Sequence, residues 1–235
     1  MAQYYTDFSE YTTGVQPSDF TERWDAAAAT STVETVLGTT GGKVLEVVAT
    51  GGPAALSWDK IDSDTDRADV EILTRTRRTT SRKQYTMGVL ARGVNAEATR
   101  TGYIPTIGED YAIDRYLSGS FSRLSTTSFI PAFEVWYYLR VRFNGTSIKL
   151  RVWSGAIVDE PATWDLETTN SDIAAAGWVG FFNFFDITIE YDILSVGTNG
   201  DSAPSTAPAT GPETPVNPSI TNLLATSARL NWDQG

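Results

Sequence analysis

Between residues 135 and 153 the chain alternates apolar and polar positions twice over. Val135, Tyr137, Leu139, Val141 and Phe143 fall on one face and Trp136, Tyr138, Arg140 and Arg142 on the other, the period of two that marks a strand with one dry face. Ile148, Leu150 and Val152 repeat the pattern against Ser147, Lys149, Arg151 and Trp153. Asn144 and Gly145 between the runs supply the positive φ angles of a type I′ turn, so the two strands are predicted to pair as an antiparallel hairpin. The polar side mixes cations with large aromatics. That mixture suits a sugar or a neighbouring protein surface, and it is equally what a solvated outer sheet face carries.

The same alternation predicts strands over 43–50, 68–77, 84–92, 111–116, 120–124, 178–185 and 187–196. In 68–77, Val70, Ile72, Thr74 and Thr76 face inward; the run at 84–92 follows a basic Thr/Ser-rich turn and reads as its hairpin partner. Ile187, Ile189, Tyr191 and Ile193 share one face of the last strand. Helical suspects are confined to about one turn near 25–29 and 171–176. Many short strands with close turn signals predict an all-β sandwich of two antiparallel sheets.

Residues 199–218 change texture. They are rich in proline, threonine and serine with hardly any large apolar side chain, and are predicted to form a partly extended linker. Residues 219–235 regain strand character, with Leu223, Leu224, Leu230 and Trp232, and resemble the opening strands of a fibronectin type III domain, an Ig-like module. The expected organisation is a β domain at 1–198, a linker at 199–218 and a partial module at 219–235.

Composition narrows the chemistry. The 235 residues include neither cysteine nor histidine, which excludes disulfides, thiolate metal sites and every Ser-His or Cys-His nucleophile arrangement. A net charge of −11 repels phosphate backbones and anionic lipid, so no nucleic-acid partner and no membrane insertion are expected. The first residues, MAQYYTDFSEY, lack the basic and apolar regions of an export signal, and no apolar run approaches the roughly 20 residues of a membrane helix.

The body of the chain resembles the concanavalin A-like jelly rolls, particularly laminin-G-like modules of bacteriophage virions. The resemblance is carried in order by DFSEYTTGVQPSDFTERW, DVEILTRTR, the stretch from GVLARG to TGY, WYYLRVRFNGTSIKLRVW and EPATWDLETTNSDIAAAGWVGFF. It implies two curved sheets, a concave face that holds carbohydrate in many relatives, and service in capsid decoration, fibres or tail appendages. Since this fold hosts lectins, hydrolases and inert domains alike, it does not by itself assign an activity.

No catalytic residue is assigned. A retaining glucanase of this fold needs Glu-x-Asp-x-(x)-Glu on one strand, and the nearest strings, Asp69-Val-Glu71 and Glu190-Tyr-Asp192, lack the third acid. Asp62, Asp64 and Asp66 have the spacing of an opening calcium loop, but Arg67 stands where the turn glycine belongs and Leu73 where the closing acid belongs. The sequence favours an acidic surface turn there, and no metal or cofactor is expected. For sugar binding, which needs an aromatic platform flanked by hydrogen-bonding groups, the candidates are Trp153, Trp164, Tyr103, Arg92 and Glu160, while Trp24, Trp58 and Trp178 are expected in packing.

The expected function is that of a non-enzymatic phage virion protein that attaches to other virion proteins, is found in the particle after host lysis, and binds host surface polysaccharide. The alternative is a carbohydrate-binding or depolymerising module of a secreted polysaccharide-active enzyme. Trp136, Tyr138 and Trp153 beside arginines also predict self-association as a homo-oligomer or symmetric array.

Overall fold

A computed structural model of the chain describes residues 2–25, 29–50, 52–61, 67–80, 86–94, 97–184 and 186–208. The Asp62, Asp64 and Asp66 turn, the second half of the linker (209–218) and the fibronectin-like stretch at 219–235 lie outside the described residues.

The described chain forms β1 (Gln3–Thr6), β2 (Phe20–Asp25), β3 (Thr30–Thr35), β4 (Lys43–Ala49), β5 (Ala54–Trp58), β6 (Val70–Arg78), β7 (Thr86–Val94), β8 (Thr101–Gly108), β9 (Tyr111–Leu117), β10 (Ser120–Thr127), β11 (Tyr137–Asn144), β12 (Ser147–Ser154), β13 (Leu166–Thr169), β14 (Trp178–Phe184) and β15 (Ile187–Thr198). Helix is limited, among the described residues, to single 3₁₀ turns at Asp59–Ile61, Glu97–Thr99 and Ile157–Asp159, none long enough to cross a membrane. One sheet runs β13-β12-β11-β6-β15-β4-β3 with β1 added along β15; the other runs β10-β9-β8-β7-β14-β5-β2. The paired strands are antiparallel.

Between the sheets lies a core whose facing residues alternation places correctly on β6, β11 and β12. Phe20 stacks on Trp58 and Phe181, with ring centroids 6.0 and 5.9 Å apart, and Phe181 stacks on Tyr191 at 3.9 Å. Leu139, Val141, Phe143, Ile148 and Leu150 of the β11–β12 hairpin are fully covered, each side chain contributing about 1.5–3 kcal/mol relative to exposure.

Three details depart from the sequence reading. The hairpin turn is centred one residue later: Asn144 pairs with Ser147, and of the two turn residues only Gly145 has a positive φ, +56°. β6 and β7 are not a hairpin, because β6 pairs with β11 and β15 while β7 pairs with β8 and β14 in the opposite sheet. Their apolar faces meet across the core, and a period of two looks the same whether consecutive strands pair or face each other. Ile193 leaves the face shared by Ile187, Ile189 and Tyr191, since the register with β6 shifts between Tyr191 and Ile193 and turns Ile193 outward.

Residues 199–205, part of the linker by composition, lie along the outer face of the eight-stranded sheet. Arg140 donates to the Ala203 carbonyl at 3.0 Å and to Ser205 Oγ at 3.3 Å. The Ala203 amide donates to Glu71 Oε1 at 3.3 Å, and Ser195 Oγ donates to the Pro204 carbonyl at 2.7 Å. This strap covers Glu71 and Leu73, which alternation turns away from the core, and Ile193, which the register shift turns outward; all three are nevertheless buried.

Candidate functional site

The five residues selected from sequence do not converge. Tyr103 is 0% exposed and sits in the core, where its hydroxyl donates to Asn170 Oδ1 at 2.6 Å and accepts the Ile173 amide at 3.2 Å. Arg92, 1% exposed, lies beneath it with its guanidinium 5.8 Å from the Tyr103 ring and 5.7 Å from Phe143. The β7–β8 register is irregular here and Arg92 takes φ +54°, which swings the side chain into the sandwich instead of onto the outer face. There it donates to the carbonyls of Ala68, Ile173 and Gly145 at 2.7, 2.8 and 2.7 Å. Burial lowers the guanidinium pKa, with Tyr103 and Asp69 opposing that shift. Arg92 and Tyr103 therefore pin loops at one end of the sandwich and present no surface to a sugar.

Trp153, Trp164 and Glu160 do share the outer face of the eight-stranded sheet. Trp153 stacks on Tyr138 at 5.0 Å and 15°, is 6% exposed, and donates its indole N–H to the Ala156 carbonyl at 3.1 Å. Trp164 is half-buried, with the guanidinium groups of Arg151 and Arg142 4.3 and 5.5 Å from its ring centroid. Glu160 is paired with Arg140 at 2.6 Å and with Arg151, and Arg140 continues the network to Glu71 at 2.5 Å. The aromatic faces here are occupied by the protein's own groups. The same coverage removes Tyr138 and Trp153 from the surface expected to mediate self-association; Trp136, held between Arg75 at 4.9 Å and Arg77 at 4.6 Å, remains partly exposed.

An open cleft lies instead on the outer face of the seven-stranded sheet. Five inter-strand steps separate β2 from β9, which in a flat sheet is roughly 24 Å. Yet the rings of Trp24 and Tyr116 are 5.7 Å apart, so this sheet curls into a trough. Phe182 pairs with Gly88, Gly88 with Thr106 and Thr106 with Ala112, a row of small residues crossing the trough beside Phe182. A Cβ on Gly88 would come within 2.2 Å of the Pro105 carbonyl oxygen, so no side chain can fill the trough from that position.

The cleft measures about 350 Å³ and is lined by Thr86, Ile104, Glu109, Asp110, Asp114, Tyr116, Phe121, Arg123, Phe182 and Phe184, a volume toward the small end of the roughly 300–1,000 Å³ usual for ligand pockets. Phe182 and Phe184 come from β14; Tyr116 and Phe121, 5.4 Å apart and edge to face, come from β9 and β10. Beside them Asp114 is 3% exposed and is gripped by Arg123, whose Nε and Nη2 lie 3.0 and 3.4 Å from its two oxygens. Arg123 also donates to Asp110 Oδ2 at 2.6 Å. Burial pushes the Asp114 carboxyl above its usual range, while the Arg123 hydrogen bond and charge pull it down. Tyr116 and Phe182 are themselves mostly covered, whereas Phe121 is an exposed aromatic ring next to fixed acceptors and one donor, the combination that a pyranose requires, its C–H face stacking and its hydroxyls hydrogen-bonding.

Sequence reasoning passed over this group, although the strand signals at 111–116 and 120–124 already placed Asp114 and Tyr116 two apart on one face. Nothing local shows that β14 supplies the opposite wall. Among the described residues no cluster of three or more His, Cys, Asp or Glu side chains is placed to hold a metal ion.

No protein-family model matches the chain, and no curated protein matches it. Solved structures do. A carbohydrate-binding module, CBM66 from Bacillus subtilis, shares 10% identity over 76% of this chain and 96% of its own, with a TM-score of 0.55. A GH16 protein of the Bacteroides ovatus mixed-linkage glucan locus, solved with a G4G4G3G product, shares 7% identity over 83% of this chain and 99% of its own, TM-score 0.56. The carbohydrate recognition domain of Emp46p, in metal-free form, shares 11% identity over 81% and 94%, TM-score 0.55. At these identities the likeness establishes architecture: the described residues form an all-β jelly roll of the concanavalin A-like, galectin-like type.

Proposed function

We propose that this chain is a carbohydrate-binding module whose site is the trough of the seven-stranded sheet. The observation that carries the proposal is the placement of Asp114 and Arg123 beside Tyr116 and Phe121, facing Phe182 and Phe184 across one cleft. The likeness to a carbohydrate-binding module and a carbohydrate recognition domain supports it at the level of fold. Among the described lining residues three carboxylates accompany one arginine, so acceptors for sugar hydroxyls are plentiful and an acidic sugar meets like charge. The preferred ligand is an uncharged glycan. Isothermal titration or a glycan array with the wild type and the Phe121→Ala and Phe182→Ala variants tests this, and glycan binding unchanged in both variants would remove the site from this cleft.

A depolymerising role is the second reading, favoured by one observation: Asp114 is a buried carboxyl with a raised pKa, as a general acid requires. Against it, Arg123 grips both oxygens of that carboxyl. The module is therefore proposed to bind without cleaving, and release of reducing sugar abolished by Asp114→Asn would reverse this assignment. The virion setting expected from the sequence draws no support from the solved likenesses. Copurification with particles at a fixed copy number is its test.

A further inference from the structure

We infer that the trough is a dead end that takes the terminus of a glycan chain and not its interior; the inference rests on the sugar-binding reading above. The two ends of the trough differ. At the end where Phe184 pairs with Thr86 and Thr86 with Gly108, the lining passes to Glu109 and Asp110 at the surface. At the other end Trp24 crosses over from β2 and fills the space.

Its indole meets Trp178 at 5.4 Å and 74°, Tyr116 at 5.7 Å and 77°, and Phe182 at 6.2 Å and 81°. All three contacts are edge to face, an arrangement favourable by about 0.5–1.5 kcal/mol per pair beyond burial. Trp24 is 0% exposed although it stands on an outer sheet face. On Tyr116 the Arg100 guanidinium packs 4.8 Å from the ring centroid, adding to this plug. A polysaccharide threading the full length of the trough would have to displace a tryptophan with no exposed surface. A chain end entering from the Glu109 and Asp110 side displaces nothing but water, and the small cleft volume matches such an end better than a continuous groove.

The experiment uses the wild-type chain and a panel of linear gluco-, manno-, galacto- and xylo-oligosaccharides from trimer to hexamer, with cyclic glucans and the parent polymers. Calorimetry reads stoichiometry and affinity, and Phe182→Ala reports whether binding uses the trough. Terminal recognition predicts one protein per linear chain at every length, Kd constant within about threefold where an added contacting sugar worth 1.4 kcal/mol would give tenfold, and no binding of cyclic glucans. A Phe182-dependent stoichiometry that rises with chain length, or tight capture of a cyclic glucan, overturns the inference and leaves the sugar site standing. A panel with no Phe182-dependent ligand overturns both. Trp24→Ala, checked for folding by circular dichroism, is expected to open the plug and raise the number of proteins bound per polymer chain.

Discussion

Trp24 and Tyr116 touch edge to face at 5.7 Å although four strands stand between theirs in the sheet. This one contact reports the curl of the seven-stranded sheet, and it places a plug at one end of the trough that the curl creates. The wall residues then have distinct tasks. Phe121 is 54% exposed and contributes little to the core, whereas Phe182 belongs to the buried cluster around Trp24.

Phe121→Ala is therefore expected to fold with little change in Tm and to weaken glycan binding by about tenfold or more, the scale of an aromatic contact residue. Calorimetry and a thermal melt on the same sample check both halves. A large drop in Tm would show that Phe121 packs the fold instead of serving the ligand.

Asp114 gives a pH signature of defined sign. Its folded pKa is raised chiefly by burial, so the folded protein holds the proton more tightly than the unfolded chain. This group's contribution to stability then rises as pH falls through the window between the folded value and the ordinary carboxylate value, and is lost as pH climbs back through it. Relative to Asp114→Asn, the wild type is expected to gain unfolding free energy on acidification through that window. Denaturant melts of both proteins across that pH window measure it, and a difference that moves the other way means that Arg123 outweighs burial.

Arg92→Met removes the donor for three backbone carbonyls while keeping much of the side-chain volume. The loss is expected to be about 3 kcal/mol, since buried acceptors are left unsatisfied. Glycan binding at saturation should persist in the folded fraction, because Arg92 lies inside the sandwich and outside the cleft. Urea unfolding and titration of the variant separate the two effects.

Truncation after Thr198 removes the strap that covers Glu71, Leu73 and Ile193, and truncation after Ser205 keeps it. The shorter chain is expected to be less stable by about 1–3 kcal/mol, the cost of leaving the buried Arg140 and Glu71 without their partners in the strap. Limited proteolysis of the 235-residue chain should accordingly leave a core ending beyond Ser205. A stable fragment ending near Val196 would show that the strap contributes nothing.

The sequence by itself determined the local level. Alternation at period two located nine of the fifteen described strands but not β1, β2, β3, β5, β8 or β13; it assigned Leu139, Val141, Ile148 and Leu150 to the core, and together with the resemblance led to a two-sheet jelly roll, because burial of one strand face is a property of neighbouring residues. It also excluded histidine and cysteine chemistry outright. Only the tertiary structure decided which sheet each strand joins, as β6 and β7 illustrate, since alternation is blind to partner choice. It decided that a positive φ at Arg92 turns an apparent ligand residue into a loop anchor, and that the guanidinium groups of Arg142 and Arg151 pack over the Trp164 ring. The trough was beyond local reading for the same reason: Trp24, Asp114, Phe121 and Phe182 meet through the curvature of a sheet, and curvature is a collective property of seven paired strands that no single segment encodes.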